Sequence, residues 1–351
     1  MESKKIIVFL TPAFPSHEQD WNWLPVLQRL SLSINAANPS YELKIISFSY
    51  PQQTKAYQWN GIEVFPYNLL DKKRITRIFS WLKIMGRLYL LRRDYDIVSI
   101  FSFWISETSF IGSWFARVFK IRFFAWICGQ DAKPGNKFVR YSKLTNENTI
   151  AISDFIQTTF LKNYQIQSFR TMPFGVENIT DQARFNERPI DIIGVGSLKP
   201  LKQFHLFIEA IAIIKKSFPK IQVRICGSGE SKLDLLKQIN ELGLVQNIQL
   251  LGEVMHPDNL QLMSESKILL HSSNYEGMSA ACLEALGAGC YVISFVKSMN
   301  ADVENWQIAE TVTDMAEKAI AILNNPPVNS KHVIPFPIHQ TASSVIELSC
   351  L

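Results

Sequence analysis

Short apolar runs alternate with helical patterns along the first half of the chain. Five of these runs are rich in β-branched or aromatic residues and are bounded by turn residues: 5–10, 43–49, 96–101, 123–127 and 149–152. Helical stretches lie between them. Strands that alternate with helices are typical of parallel βαβ units whose sheet is covered on both faces. The pattern therefore predicts an α/β domain with a parallel sheet.

A polar stretch with proline and glycine at 173–189 interrupts this pattern, which then restarts. Five further strand-like runs follow, again with helices between them: 190–197, 221–229, 248–252, 267–273 and 291–295. The restart predicts two Rossmann-like domains, 1–180 and 186–334, joined near residues 178–188. The terminal segment 335–351 ends in "TASSVIELSCL", which predicts a final helix.

The composition is that of a globular protein, with 47% apolar and 19% charged residues in 351. The apolar runs are short, and the start "MESKKIIVFLTP" leads straight into a strand pattern. We therefore expect neither a transmembrane helix nor a signal peptide, and we expect a cytoplasmic protein. The five cysteines form no CxxC pair and the six histidines no HxH or HExxH spacing. Reduced thiols and no protein-held metal are the expectation.

The net charge of +5 is too small to indicate nucleic-acid binding. One segment, Asp71–Arg93, holds eight Lys or Arg and one acidic residue. Its apolar residues recur at three- and four-residue steps: Ile75, Ile78, Phe79, Leu82, Met85, Leu88 and Tyr89. This predicts a basic amphipathic helix. Two interpretations stay open: a helix packed on a sheet with a solvated basic face, or a helix through which Lys72–Arg93 also contacts an anionic membrane surface.

The stretch "NYEGMSAACLEALGAG", 274–289, follows a predicted strand and enters a short helix. Ligands of open α/β sheets bind at the carboxyl edge of the strands, where this loop would lie. Gly277 would let the backbone approach a ligand, and the N–H groups at the helix start would suit a phosphate. Glu276 would stand in the loop, while Glu284 inside the helix could accept hydrogen bonds from a ribose diol. Taken singly, both glutamates could equally be surface residues.

A second stretch, "VGSLKPLKQFHLFIEAI" at 195–211, supports the functional interpretation. It also follows a strand and opens a helix, and it contains Lys199 and Lys202. A lysine beside backbone N–H groups at a helix start can neutralise a diphosphate. The stretch lacks the glycine cradle of a P-loop, which disfavours an ATPase.

These stretches, with "ICGSGE" and "LLGEV" between them, resemble the retaining GT-B glycosyltransferases, and more narrowly glycosyltransferase family 4. The resemblance covers 186–296 well and the first half faintly, through "TPAFPS", "YDIVSIF", "CGQDA", "AISDFIQ" and "MPFGVE". It implies two Rossmann-like domains facing across a cleft, the second binding a nucleotide-sugar and the first an acceptor. It also implies a last helix that crosses back to the first domain, and neither a cofactor nor a metal.

The resemblance assigns Glu276 and Lys202 to catalysis, beside the donor sugar and its leaving diphosphate. The residues that it assigns to donor binding follow three strands: Ser197, Lys199, Val254, Gly277, Met278, Ser279 and Glu284. In this assignment Glu284 binds the ribose, and the backbone around Val254 faces the base. The acceptor-binding candidates are His17, Trp21, Trp104 and Asp131.

We predict a retaining glycosyltransferase that acts on a glycan or lipid-linked acceptor in cell-surface polysaccharide assembly. Ser197 stands where the family usually has arginine, and a histidine often seen in the first domain is not evident in "SIFSFWISETSF". These departures motivate one alternative, a catalytically weak GT-B-like nucleotide-sugar-binding partner protein. A sugar-nucleotide 2-epimerase is a further alternative, against which the context of the two glutamates argues.

Overall fold

The computed structural model describes residues 4–21, 23–38, 40–70, 72–177, 184–326 and 332–350. The chain divides into two compact units. The first unit combines Met1–Gly175 with Ile338–Leu351, and the second is Val176–Pro337. Most of the predicted link near 178–188 falls at 178–183, outside the described residues.

The first unit is built on an eight-stranded sheet in the order β3-β4-β2-β1-β5-β6-β7-β8. Its strands are β1 (Lys5–Ala13), β2 (Tyr41–Tyr50), β3 (Tyr57–Trp59), β4 (Ile62–Pro66), β5 (Asp96–Phe103), β6 (Arg122–Ile127), β7 (Thr149–Ala151) and β8 (Arg170–Thr171). All neighbours pair in parallel except β3 and β4. The central strands are buried on both faces, which explains why they are continuous apolar runs in the sequence.

Strands β3 and β4 form an antiparallel hairpin at the sheet edge, which the sequence analysis did not predict. Asn60 and Gly61 make the turn, with φ angles of 46° and 77°. Asparagine and glycine are the residues that a two-residue hairpin turn with positive φ prefers. The signal was therefore present in "YQWNGIEVFP".

Five helices connect the strands of the first unit. They are α1 (Pro25–Ala37), α2 (Arg74–Asp94), α3 (Glu107–Phe119), α4 (Lys137–Tyr141) and α5 (Asp154–Tyr164). Ser102 Oγ in β5 donates to Thr108 Oγ1 in α3 at 3.0 Å, so α3 covers the sheet face to which Ser102 points. Helix α2 contacts both β5 and α3, and right-handed crossovers place it on the same face.

Helix α2 confirms the predicted basic helix, but the side chains that pack are not those expected. Of the predicted apolar stripe only Leu88 is buried. The chain instead buries a second stripe on the opposite side of the helix: Ser80, Ile84, Leu88 and Leu91. Of the two open interpretations, the first is supported in that α2 contacts the sheet, but it does so through the side opposite most of the predicted stripe, because a helix with two apolar faces can bury either one.

The second unit holds a six-stranded, fully parallel sheet in the order β11-β10-β9-β12-β13-β14. Its strands are β9 (Ile190–Val195), β10 (Val223–Cys226), β11 (Ile248–Gly252), β12 (Ser266–His271), β13 (Tyr291–Ser294) and β14 (Trp306–Ile308). Its helices are α6 (Phe204–Ser217), α7 (Lys232–Glu241), α8 (His256–Ser264), α9 (Ala280–Gly287) and α10 (Val312–Asn324). Apolar clusters lie on both faces of this sheet. The prediction of two Rossmann-like parallel-sheet units is confirmed.

A final helix, α11 (Ile338–Cys350), belongs to the first unit. Its Ser349 Oγ lies 2.7 Å from Ser99 Oγ of β5. Ser99 and Ser102 are three residues apart on one strand and point to opposite faces, so α11 and α3 cover opposite faces of the sheet. No helix among the described residues is long and apolar enough to cross a membrane.

Candidate functional site

The order of the second sheet creates a switch point between β9 and β12. The chain runs outward from β9 through β10 to β11 and then returns to the other side of β9 as β12. The loops after these two strands therefore leave the same carboxyl edge in opposite directions. Loops that diverge in this way leave a crevice between them, and ligands of open α/β sheets bind in that crevice. Both stretches that the sequence analysis singled out, at 195–211 and 274–289, begin here.

Lys202 and Glu276 meet at this switch point. Lys202 Nζ lies 2.7 Å from Glu276 Oε2, and each side chain is about one-fifth exposed, at 21% and 19%. Ser272 Oγ donates to the Lys202 carbonyl at 2.8 Å, which ties the two loops together. Lys202 ends a 3₁₀ turn, Pro200–Lys202, and helix α6 begins two residues later at Phe204. The lysine therefore precedes the helix rather than lying within its first turn.

His271 lies beneath this ion pair as the last residue of β12. It is 5% exposed, and its Nε2 is 3.8 Å from Glu276 Oε2. Its Nε2 has no hydrogen-bond partner among the residues that the structure describes. Burial, assisted by the nearby charge of Lys202, lowers the pKa of His271 to about 4. At neutral pH the ring is therefore uncharged beside Glu276.

Glu284 in helix α9 is paired with His256 at the start of α8. The distance from His256 Nε2 to Glu284 Oε1 is 2.8 Å. Both side chains are mostly buried, at 9% and 14% exposure. Glu284 is thus held in one orientation, with Oε2 left to accept hydrogen bonds from a ligand.

Helix α9 forms as the sequence predicted. Ser279 caps its N-terminus by accepting a hydrogen bond from Cys282 N–H at 3.3 Å. Gly289, with a φ of 74°, follows its C-terminus and takes the left-handed conformation that glycine favours there. Met278 is buried, 9% exposed, while Gly277 lies in the loop between Glu276 and the helix. The helix start thus sits directly after the loop that carries Glu276.

The glycines of "ICGSGE" are required by a close approach of two backbones. A Cβ atom on Gly227 would lie 1.9 Å from the Gly196 carbonyl oxygen, and one on Gly229 would lie 2.5 Å from the Leu198 carbonyl oxygen. Leu198 N–H donates to the Ser228 carbonyl at 2.9 Å. The loops after β9 and β10 therefore form one interlocked surface at the carboxyl edge.

The other predicted donor-binding residues lie along this edge. Ser197 and Lys199 are exposed, and no ion pair of Lys199 is found within the described ranges. The Val254 carbonyl accepts a hydrogen bond from the Asn259 side chain at 3.0 Å, which fixes the loop after β11. The structure thus brings Lys202 and Glu276 together, and leaves Ser197 and Lys199 on the open surface.

The first unit has a switch point of its own, between β1 and β5. His17 and Trp21 lie in the loop after β1: His17 is exposed, and the Arg29 guanidinium lies 4.4 Å from the Trp21 ring centroid. Trp104 directly follows β5 with a φ of 60°. A bulky residue in this left-handed region is strained, and such strain is concentrated at functional sites.

Asp131 has a structural role. Its carboxylate accepts hydrogen bonds from the backbone N–H groups of Ile105, Cys128 and Gly129, at 2.9, 3.2 and 2.7 Å. Burial raises the pKa of Asp131, and these donors partly offset the rise. The carboxylate holds the loops after β5 and β6 together, so we expect it to make no direct contact with an acceptor.

Two residues of the site were missed by the sequence analysis, His256 and His271. His256 contacts Glu284, which is 28 residues away, and His271 lies beside the Lys202–Glu276 pair. A search for closely spaced histidines, such as HxH or HExxH, cannot reveal contacts between residues far apart in the sequence. The one available signal was that His271 ends the strand leading into "SSNYEG". Within the described ranges no three His, Cys, Asp or Glu side chains are arranged to hold a metal ion.

Residues 175–333 match the sequence model of the family Glycosyl transferases group 1. The matched segment nearly coincides with the second unit and contains every residue described at the switch point of that unit. The resemblance to glycosyltransferases is therefore confirmed at this level. The narrower assignments, to family 4 and to a retaining reaction, stay predictions.

Two curated relatives are glycosyltransferases of Staphylococcus aureus. The chain is 26% identical over 255 residues to the capsular polysaccharide biosynthesis glycosyltransferase CapH, with 68% of each protein covered. It is 25% identical over 204 residues to the poly(ribitol-phosphate) alpha-N-acetylglucosaminyltransferase of strain COL, covering 54% of this chain and 40% of that protein.

Among solved structures, HepE of Anabaena in complex with UDP and glucose is similar over nearly the whole chain. The TM-score is 0.67 at 15% identity, covering 99% of this chain and 100% of that one. At this level of identity the likeness shows the fold, which is that of GT-B glycosyltransferases.

Proposed function

We propose that this chain is a glycosyltransferase that transfers a sugar from a nucleotide-sugar donor to a glycan or lipid-linked acceptor. The transfer retains the anomeric configuration, with the leaving phosphate assisting the attack on the same face of the sugar. The acceptor belongs to cell-surface polysaccharide assembly, a proposal supported by the relative named for capsular polysaccharide biosynthesis. The donor lies at the switch point of the second unit and the acceptor contacts the first unit.

The ion pair of Lys202 and Glu276 at the switch point carries this proposal. A lysine ammonium has three N–H donors, so Lys202 can bond Glu276 and a phosphate oxygen of the donor together. It would then neutralise the charge that develops on the leaving diphosphate. Glu276, held 2.7 Å from the lysine, faces the sugar at the mouth of the same loop.

Glu284 serves as the ribose ligand in this proposal. Its contact with His256 fixes one carboxylate oxygen and leaves the other to accept hydrogen bonds from the ribose. A fixed carboxylate loses less conformational entropy on binding a diol than a mobile one. The backbone around Val254 faces the base, and the backbone of Gly277, Met278 and Ser279 contacts the sugar and phosphate.

We propose UDP as the nucleotide of the donor. The similar HepE structure contains UDP and glucose, and the second curated relative transfers N-acetylglucosamine. A UDP-activated hexose or N-acetylhexosamine is the class of donor that both suggest. The proposed reaction uses neither a cofactor nor a metal, because Lys202 and backbone N–H groups supply the positive charge at the diphosphate.

We also propose a cytoplasmic location. A peripheral contact between Lys72–Arg93 and an anionic membrane would bring the enzyme close to a lipid-linked acceptor.

One observation favours the second candidate, a catalytically weak nucleotide-sugar-binding protein. The position of Ser197 is open and exposed, and an uncharged residue occupies it. Loss of one charge-assisted contact costs about 1.5–3 kcal/mol, equivalent to about a ten- to hundredfold lower rate. Binding of a nucleotide-sugar without turnover would favour this candidate.

Thermal unfolding in the presence of UDP, GDP, ADP or CMP tests the donor site. A nucleotide at about a hundred times its dissociation constant adds about 2.7 kcal/mol and raises the midpoint by about 5 °C in a domain of this size. We expect this shift with UDP and a smaller one with the others. UDP-sugars are then compared in the same way, and the one that binds is tested for turnover.

Glu284→Gln is the matched variant for that experiment. It retains the shape of the side chain and removes the charge, so the UDP-induced shift should fall while the unfolding midpoint without ligand changes little. Equal shifts in the two proteins would contradict the ribose assignment. No shift with any nucleotide would overturn the donor site altogether.

A further inference from the structure

Helix α2 has a second apolar face, which points to solvent. Five large side chains share this second face of α2 and are 51% to 72% exposed: Ile75, Ile78, Phe79, Leu82 and Tyr89. They recur at three- and four-residue steps over four turns, so they form one continuous stripe. An exposed apolar stripe of this length marks an interaction surface.

Neighbouring helices extend this stripe into a wider surface. Trp114 and Val118 of α3 and Tyr141 of α4 are 42%, 65% and 50% exposed. The Tyr89 ring centroid lies 6.2 Å from that of Phe119, which joins α2 to α3. Trp114 Nε1 donates to the Tyr141 carbonyl at 3.1 Å, which joins α3 to α4. We call the exposed side chains of these three helices the outer face.

The positive charge of the protein is concentrated in the same part of the chain. Residues 72–143 contain 15 Lys or Arg and four Asp or Glu, whereas the rest of the chain contains 21 Lys or Arg and 27 Asp or Glu. The net charge of +5 thus results from a basic segment and an acidic remainder. Two of the four acidic residues are paired with arginines, Asp94 with Arg93 and Glu107 with Arg77.

Cations lie directly beside the aromatic rings of the outer face. Arg117 Cζ and Lys143 Nζ are 4.9 and 5.3 Å from the Trp114 ring centroid, and Arg92 Cζ is 4.6 Å from that of Phe119. Tryptophan and tyrosine with adjacent lysine and arginine are typical of protein surfaces at the boundary between lipid headgroups and acyl chains.

We propose that the outer face docks on an anionic lipid bilayer, with the apolar stripe of α2 inserted among the headgroups and the flanking cations bound to lipid phosphates. Apolar area and electrostatic attraction add in such binding, and this surface offers both. A second copy of the chain is the poorer occupant, because two surfaces of the same positive charge repel each other. This inference rests on the membrane contact proposed above and deepens it, and because docking requires no nucleotide, its test is separate from that of the donor site.

Cosedimentation with vesicles of phosphatidylcholine containing about one-quarter phosphatidylglycerol tests the proposal. We expect the full chain to bind these vesicles without nucleotide, and to bind pure phosphatidylcholine vesicles much more weakly. Phe79→Ser with Leu82→Ser removes apolar area from the stripe without changing charge. This double variant should bind the anionic vesicles about fiftyfold more weakly.

A matched control exists on helix α7 of the second unit, where Leu233 and Leu236 are 77% and 43% exposed. Leu233→Ser with Leu236→Ser should leave vesicle binding unchanged. Lys83→Gln with Arg92→Gln should weaken binding about fivefold for each charge removed and reduce its dependence on salt.

Three results would overturn the proposal. The first is no binding of the wild-type chain to the anionic vesicles, and the second is equal loss of binding in the α7 control. The third is a wild-type dimer, seen by analytical ultracentrifugation, that Phe79→Ser with Leu82→Ser converts to a monomer. That outcome would assign the outer face to a second copy of the chain.

Discussion

The switch points of the two sheets use different chemistry. At the switch point of the second unit, polar and charged side chains from separate loops and helices meet in defined pairs, Lys202 with Glu276 and His256 with Glu284. At that of the first unit, aromatic residues dominate, with Trp104 in a left-handed conformation after β5. The paired polar groups of the second unit suit a charged ligand of fixed shape, such as a nucleoside diphosphate. The aromatic residues of the first unit suit the apolar faces of sugar rings.

The contrast explains why the sequence offers a specific motif in the second unit and only scattered candidate residues in the first. A phosphate and a ribose impose the same requirements on each enzyme that binds them, so their ligands recur as a spacing of Glu, Gly and Lys. An acceptor differs from enzyme to enzyme, and its contacts leave no common spacing. Asp131 is an example, since this candidate acceptor ligand accepts hydrogen bonds from backbone N–H groups, a contact that no sequence spacing indicates.

The largest effect is expected from Glu276→Gln. Loss of the carboxylate that we propose to lie beside the donor sugar should lower transfer by about a hundred- to a thousandfold, with UDP affinity within about threefold of wild type. The rate with the UDP-sugar that binds and the dissociation constant of UDP are the two measurements. Lys202→Ala is the matched variant and should lower both the rate and the affinity for UDP, because we propose that Lys202 contacts the diphosphate. A Glu276→Gln protein with normal turnover would leave the switch point of the second unit without a catalytic role.

The acid side of the stability curve should depend on His271. Its pKa is about 4 in the folded protein and near 6.5 in an unfolded chain. Between these pH values the unfolded chain binds more protons than the folded protein. The free energy of unfolding therefore falls as the pH is lowered from about 6.5 to 4, by up to about 3 kcal/mol. Urea unfolding at pH 7 and pH 4.5, followed by circular dichroism, should show a smaller loss in His271→Gln than in wild type. Parallel losses in both proteins would mean that this ring is not the buried, uncharged group we describe.

In the first unit, Asp131→Asn should act on stability rather than on ligand binding. An amide offers one acceptor oxygen where the carboxylate offers two, so at least one of three N–H donors loses its partner. We expect a destabilisation of about 1–3 kcal/mol and an unchanged UDP dissociation constant. Normal stability combined with lost transfer would restore Asp131 as an acceptor ligand and weaken the contrast between the units.

The smallest effect is expected from His256→Gln. Glutamine can still donate a hydrogen bond to Glu284, so UDP binding should weaken only about fivefold. His256→Ala should weaken it further, because Glu284 then loses its orientation. Calorimetric titration of UDP against both variants measures the difference. Identical affinities in wild type and His256→Ala would reduce the pair to a packing contact.

The sequence predicted the strands well because buried parallel strands are continuous apolar runs, as in β1 and β12. The sequence indicated which two stretches form the candidate site, but it did not indicate which side chains contact each other between them. His256 and Glu284 lie on different helices, and no local period relates them. In α2 the pattern failed for another reason, since apolar residues occupy two opposite sides and periodicity alone does not tell which side the sheet will cover.

The interlocked glycines bear on attempts to alter the proposed donor site by mutation. Gly227 and Gly229 leave no room for any side chain, because the Gly196 and Leu198 carbonyl oxygens already fill the space. Selection from a mutant library should therefore return these two codons unchanged, whichever nucleotide is offered. Engineering effort is better directed to positions whose side chains face open space, such as Ser197 and Lys199.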